Sequence, residues 1–74
     1  MIEFEMIEVA SSNLNAIGYD AKTQTLRVHF NSGTIYDYYG VPKNMYDGLL
    51  HADSHGSYLH RHIKLGGFSY NKIS

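Results

Sequence analysis

Gln24-Thr25-Leu26-Arg27-Val28-His29-Phe30-Asn31-Ser32-Gly33-Thr34-Ile35-Tyr36-Asp37-Tyr38-Tyr39 reads as two strands and a tight turn, and its register decides the fold. Residues 24–30 alternate cleanly, with Leu26, Val28 and Phe30 on one face and Thr25, Arg27 and His29 on the other. A two-residue loop would pair Phe30 with Gly33 and set Leu26 against Asp37. The tyrosines would then leave the apolar face. A three-residue loop is a type I turn closed by Gly33 in the left-handed conformation, which glycine adopts at no steric cost. It pairs Phe30 with Thr34, Val28 with Tyr36 and Leu26 with Tyr38. Arg27 then faces Asp37 across the strands, a favourable pair. The second register satisfies more residues and is the one expected. It turns the rings of Tyr36 and Tyr38 inward.

Before this hairpin, Asp20-Ala21-Lys22-Thr23 is a turn that the aspartate side chain suits. Residues 14–20 before it read as a strand, and Ser11-Ser12-Asn13 is a break. Residues 2–9 alternate apolar and acidic, with one slip at Met6-Ile7, which predicts a strand carrying a bulge there. Residues 1–8 are thus an N-terminal strand or extension. On the other side Gly40 ends the hairpin. Val41-Pro42 opens a helix, with proline in the tolerated first turn, and Met45, Tyr46, Leu49 and Leu50 form its apolar stripe. Ser54 suits the N-cap of a second helix from His55 to Lys64, stopped by Gly66-Gly67. Residues 68–73 alternate again, as a short final strand or an extended tail. The expectation is one α+β domain over residues 1–74. Its small antiparallel sheet is a meander with a central hairpin at 24–39, packed by two short helices.

Seventy-four residues hold one thin core, and the ten aromatic side chains, seven tyrosines and three phenylalanines, are an efficient way to build it. With no cysteine, disulfides and thiolate zinc sites are excluded. An acidic start unlike a secretory signal, and apolar runs too short for a bilayer, point to a cytoplasmic protein with no membrane contact. The net charge of −1 opposes a strongly basic nucleic-acid binder. Charge is nonetheless uneven: Glu3, Glu5 and Glu8 lie at one end, Arg61, Lys64 and Lys72 with four histidines at the other. The two ends are expected on different surfaces.

In order and spacing these pieces resemble the KTSC family, a domain found at the C-terminus of some lysyl-tRNA synthetases and as free-standing small bacterial and phage proteins. The resemblance rests on Ser11-Ser12-Asn13 before Ile17-Gly18-Tyr19-Asp20, and on Leu26-x-Val28-x-Phe30 with Gly33. It continues through Tyr36-x-Tyr38, Gly40-Val41-Pro42, Ala52-x-Ser54-x-Gly56-x-Tyr58, Ile63 and Phe68-x-Tyr70. His60 and Lys64 depart from the asparagine and arginine the family tends to carry, so contacts that need those groups are not carried over. RNA binding is the direction that the resemblance implies.

Chemistry is sparse. No nucleophile, oriented triad or paired acids can be assembled, so no enzyme and no cofactor is expected. His60 and His62 point to different sides of a helix, and Asp53-Ser54 separates His51 from His55, so no metal site is expected either. Tyr36-x-Tyr38 could form a base-stacking platform, but the register favours core packing for it. Tyr39, beside Arg27 on the opposite face, is the better exposed aromatic. The start of the second helix is the anion site expected. Ser54, Gly56, Ser57 and Tyr58 present free N–H groups and hydroxyls there, with Arg61 and Lys64 further along. A module binding RNA or a nucleotide phosphate through these residues, with Arg27 and Tyr39 adding contacts, is the first expectation. The second is a protein partner or self-association through the acidic N-terminal strand, as in a small phage or bacterial inhibitor.

Overall fold

The computed structural model describes residues 4–74. They build a five-stranded antiparallel sheet in which every strand lies beside its sequence neighbour. The strands are β1 (Ile7–Glu8), β2 (Leu14–Asp20), β3 (Thr25–Phe30), β4 (Ile35–Tyr39) and β5 (Ser69–Lys72). Between β4 and β5 come α1 (Lys43–His51) and α2 (His55–Tyr58), which runs on as a π-helical turn over Leu59–Lys64. The architecture is α+β, with both helices against one face of the sheet.

The central hairpin takes the three-residue loop. Gly33 has a φ of 93°, and its N–H donates to the Phe30 carbonyl at 2.9 Å. Leu26 pairs with Tyr38, Arg27 with Asp37 and Val28 with Tyr36. Leu26 and Val28 are fully buried under the helices, beside Ile17 of β2 and against Leu49, Leu59 and Ile63. Burying each such side chain stabilises the fold by about 1.5–3 kcal/mol, so this layer dominates stability.

Three expectations are corrected. The bulge falls in β2, between Leu14 and Ala16, and not at Met6-Ile7. One extra residue there puts Leu14 and Ile17, three apart, on the same helix-covered face, which strict alternation would forbid. The N-terminal strand shrinks to Ile7–Glu8. Of the expected strand over 2–9, Ile2 and Glu3 lie outside the described residues, as does Met1. Phe4 and Met6 instead lie against Gly18 on the face away from the helices, and the Arg27 guanidinium carbon stands 4.3 Å from the Phe4 ring centre. Ala16 and Gly18 are small, which leaves that face a shallow seat for them. Finally, Pro42 caps α1 in extended conformation (φ −68°, ψ 151°) without entering it. The cause is Val41, which is tied down by its N–H to the Gln24 carbonyl at 3.0 Å and by the Tyr19 hydroxyl donating to its carbonyl.

The second helix begins where expected. The Ser54 side chain accepts from the Ser57 N–H at 3.3 Å. Its last part widens into a π-turn, closed by the Leu65 N–H donating to the His60 carbonyl at 3.1 Å. The segment after Gly66-Gly67, open between strand and tail, is a strand: β5 pairs Tyr38 with Tyr70 and Tyr36 with Lys72.

Burial pushes the phenols of Tyr38 and Tyr46 above their ordinary value, because a tyrosinate would be poorly solvated there. The folded pKa therefore exceeds the unfolded one. Their contribution to stability is complete below about pH 10 and is lost as pH rises through the folded value. The thermal midpoint should fall above about pH 10, and the share of tyrosinate absorbance that belongs to Tyr38 and Tyr46 should appear together with unfolding. A midpoint that declines no further than exposed tyrosines allow would contradict this burial.

Candidate nucleic-acid interface

The helices cover β2, β3 and part of β4, and the sheet continues beyond them. Exposure along the helix-side face rises accordingly. Tyr38 is 4 % exposed, Tyr36 is half-buried and Tyr70, on the last strand, is 66 % exposed. Because facing residues of an antiparallel pair share a face, the pairing brings these three rings together. Tyr36 and Tyr38 stack with centres 6.3 Å apart. Tyr70 leans on both, at 6.1 Å from Tyr36 and 5.9 Å from Tyr38. Phe30 meets Tyr36 edge-on at 5.8 Å.

The three tyrosines and Lys64 line a cavity of about 270 Å³. Lys64 arrives at the end of the π-turn, its ammonium 5.2 Å from the centre of the Phe30 ring. In a π-helix each residue advances less around the axis than in an α-helix. Lys64 therefore comes round closer to the buried side that Leu59 and Ile63 define. Lys72 sits directly across from Tyr36 on the same face. Strand alternation leaves no carboxylate on this face of β3, β4 or β5 among the described residues. Aromatic faces open at one side and flanked by two ammonium groups can stack a planar ring and neutralise an attached anion.

The residues expected in the sequence to bind an anion or nucleic acid fall in three places, and of them Lys64 alone lines this cavity, beside Tyr36 and Tyr38, for which the register favoured core packing. Ser54 is a helix cap whose Oγ is engaged with Ser57, and its carbonyl accepts from the Tyr58 N–H at 3.0 Å. A Cβ on Gly56 would stand 3.1 Å from the Asn13 side-chain nitrogen, so the close approach this glycine permits is taken by Asn13. The Tyr58 ring packs on His62, with centres 4.3 Å apart, and its hydroxyl lies over Gly48. Ser57 and Arg61 are exposed on the helix surface. Arg27 and Tyr39 belong to the opposite face of the sheet. There Arg27 makes a bidentate pair with the buried Asp37, at 2.7 and 2.9 Å, and Tyr39 is 38 % exposed. The expected contribution of these two to one site with the second helix is therefore separated from it by the sheet.

What sequence reading missed was Tyr70. Its signal was the alternation Phe68-x-Tyr70-x-Lys72, which becomes informative once that segment is laid beside Tyr36-x-Tyr38. Two histidines are committed locally: His55 donates from Nδ1 to the Leu49 carbonyl at 2.8 Å, and His62 holds Tyr58. Among the described residues no three histidine or carboxylate groups gather as a metal would need, and no helix is long and apolar enough to cross a membrane. The N-terminal segment expected to seek a partner sheet pairs through β1 with β2, which makes β1 an edge strand of the sheet.

Comparison with known proteins bears on the fold. The family model described as KTSC domain matches residues 10–68. The lysine–tRNA ligase of a Nostoc species is 39 % identical across the whole chain, which spans 13 % of that ligase. An uncharacterised protein of Stutzerimonas stutzeri is 37 % identical over 90 % of the chain and 94 % of its own length. The crystal structure of a KTSC domain protein from Yersinia pestis has a TM-score of 0.91 at 32 % identity, covering 97 % of this chain and all of that one. The same unit thus occurs as a small part of a long enzyme and as nearly the whole of a short protein.

Proposed function

The chain belongs to the KTSC domain family, and from that premise we propose that it is a non-catalytic module that binds single-stranded RNA through the aromatic groove. The observation that carries the reading is the convergence of Tyr36, Tyr38 and Tyr70 with Lys64 around one open cavity. Stacking on tyrosine suits any base, and the lysines supply the counter-charge to the backbone. The kinship with a segment of proteins named lysine–tRNA ligases supports RNA as the nucleic acid. The groove also answers the objection raised by a net charge of −1. Lys64 and Lys72 flank the rings on one face, while Glu8, paired with Ala16, and Asp37 belong to the other. The local field at the rings is therefore more positive than the average charge suggests.

Anisotropy titration of a labelled single-stranded RNA against salt tests the proposal. Two lysines on the backbone predict a log–log salt slope of about −1.4, and Lys64→Ala should flatten it by about 0.7. Absence of binding at the lowest salt would end this reading.

A further inference from the structure

The groove does not stop at the tyrosines. Beyond Lys64 a second cavity, about 310 Å³, is lined by Ser12, Asn13, Phe30, Asn31, Ser32 and the same Lys64. The two cavities thus share a cation and meet at it. Their linings differ in kind: the first is aromatic, the second is amides and hydroxyls around one phenylalanine ring. Phe30 and Tyr36 stand 5.8 Å apart with planes at 88°, so the seats on either side of Lys64 are turned sharply against each other.

The second cavity is built and not merely left over. The Ser11-Ser12-Asn13 break is held against the hairpin turn by the Asn31 N–H donating to the Asn13 carbonyl at 2.8 Å. The Asn31 side-chain nitrogen also donates to the Ser11 carbonyl, at 3.2 Å. That second bond orients the Asn31 amide and leaves its Oδ1 without a protein partner among the described residues. An oriented, unengaged amide oxygen is an acceptor for the exocyclic amino group of a base.

We infer that the groove seats two successive nucleotides of a single strand, one base on the tyrosines and the next beside Phe30 and Asn31, with Lys64 at the phosphate between them. This rests on the reading of the tyrosine cavity as a nucleic-acid site and extends it to a footprint and a base preference. A mononucleotide fills one seat and leaves the other empty. A dinucleotide fills both and places its linking phosphate at the shared lysine. A third nucleotide finds no further seat. The second seat favours bases that carry an amino group, since uracil can offer Asn31 only its ring N3–H, which lies between two carbonyl oxygens that repel Oδ1.

NMR titration of the intact chain with AMP, ApA, UpU and ApApA tests the inference. ApA should bind about tenfold more tightly than AMP, and ApApA within about twofold of ApA. UpU should bind about fivefold more weakly than ApA, the size of one hydrogen bond near 1 kcal/mol, and Asn31→Ala should erase most of that difference. Equal affinities for AMP and ApA, or a further tenfold gain with ApApA, would overturn the two-seat footprint. These comparisons need only the wild-type chain. A preference for ApA over UpU that persists in Asn31→Ala would remove Asn31 from base reading. In each of these outcomes the tyrosine cavity still stands as a nucleic-acid site if Tyr70→Ala weakens AMP binding. No binding of any of these ligands, or of a longer RNA, removes both conclusions together.

Discussion

Leu26→Ala is expected to lower the thermal midpoint by about 15–25 °C, the largest effect of any single substitution considered. Leu26 is 0 % exposed at the centre of β3, the middle strand of the five. Its direct neighbours are Tyr19 on β2 and Tyr38 on β4, and the helices close over it. Truncation there removes about 3–4 kcal/mol, as lost transfer energy and as a cavity that rigid ring neighbours cannot fill. The whole stability of so short a domain is on the order of 5–10 kcal/mol, so a third or more of it would go. Urea midpoints of the variant and of Leu65→Ala give the comparison. Leu65 is 70 % exposed, and its replacement should change stability by less than about 0.5 kcal/mol. Equal losses at the two positions would mean that the helices do not pack on this face of the sheet.

Tyr70→Ala is expected to weaken RNA binding by about tenfold to a hundredfold while leaving the melting curve almost unchanged. The two effects separate because of where the ring sits. It is largely exposed on an edge strand, and its recorded aromatic contacts are with Tyr36 and Tyr38. Its removal opens no cavity in the core, yet it takes away the most accessible stacking face. No charge is lost, so the salt slope should stay where it is, in contrast to Lys64→Ala. Tyr70→Phe keeps the ring and should keep most of the affinity. Wild-type affinity in Tyr70→Ala would place the binding surface elsewhere and leave the tyrosine cluster as packing alone.

The hairpin register was legible because the period of a strand is two and one glycine demanded positive φ. A shift by one residue would have set Leu26 against Asp37 and turned Tyr36 and Tyr38 away from the face of Leu26 and Val28, so the pattern admitted a single solution. The helix cap at Ser54 and the turn at Asp20 were legible for a similar reason. A short polar side chain satisfies backbone groups two or three residues away, and such bonds are local. The bulge at Asn15 was not legible. It depends on which face of β2 must meet the helices, and the β2 sequence carries apolar residues on both faces. The π-turn was hidden too, since Leu59 and Ile63 fit an α-helix equally well.

The candidate site divides along the same line. Ser54, Gly56 and Ser57 attract notice as a helix start, but Asn13, forty-three residues upstream of Gly56, occupies the approach. Arg27 pairs with Asp37 as the register implies, but that the pair is bidentate and that Phe4 lies against the guanidinium emerge only in three dimensions. Tyr70 is silent until β5 lies beside β4.

From the chain alone came the register of the central hairpin, the inward turn of its tyrosines and the cap that starts the second helix. Each follows from bonds or repeats spanning a few residues. Folding in three dimensions decided how far the helix layer reaches across the sheet. Tyr38, Tyr36 and Tyr70 share one face, and only the edge of that layer makes the first a core residue and the last an open ring. Exposure is a property of what lies above a side chain, and what lies above these three is set by how the helical segment between β4 and β5 folds back over the sheet.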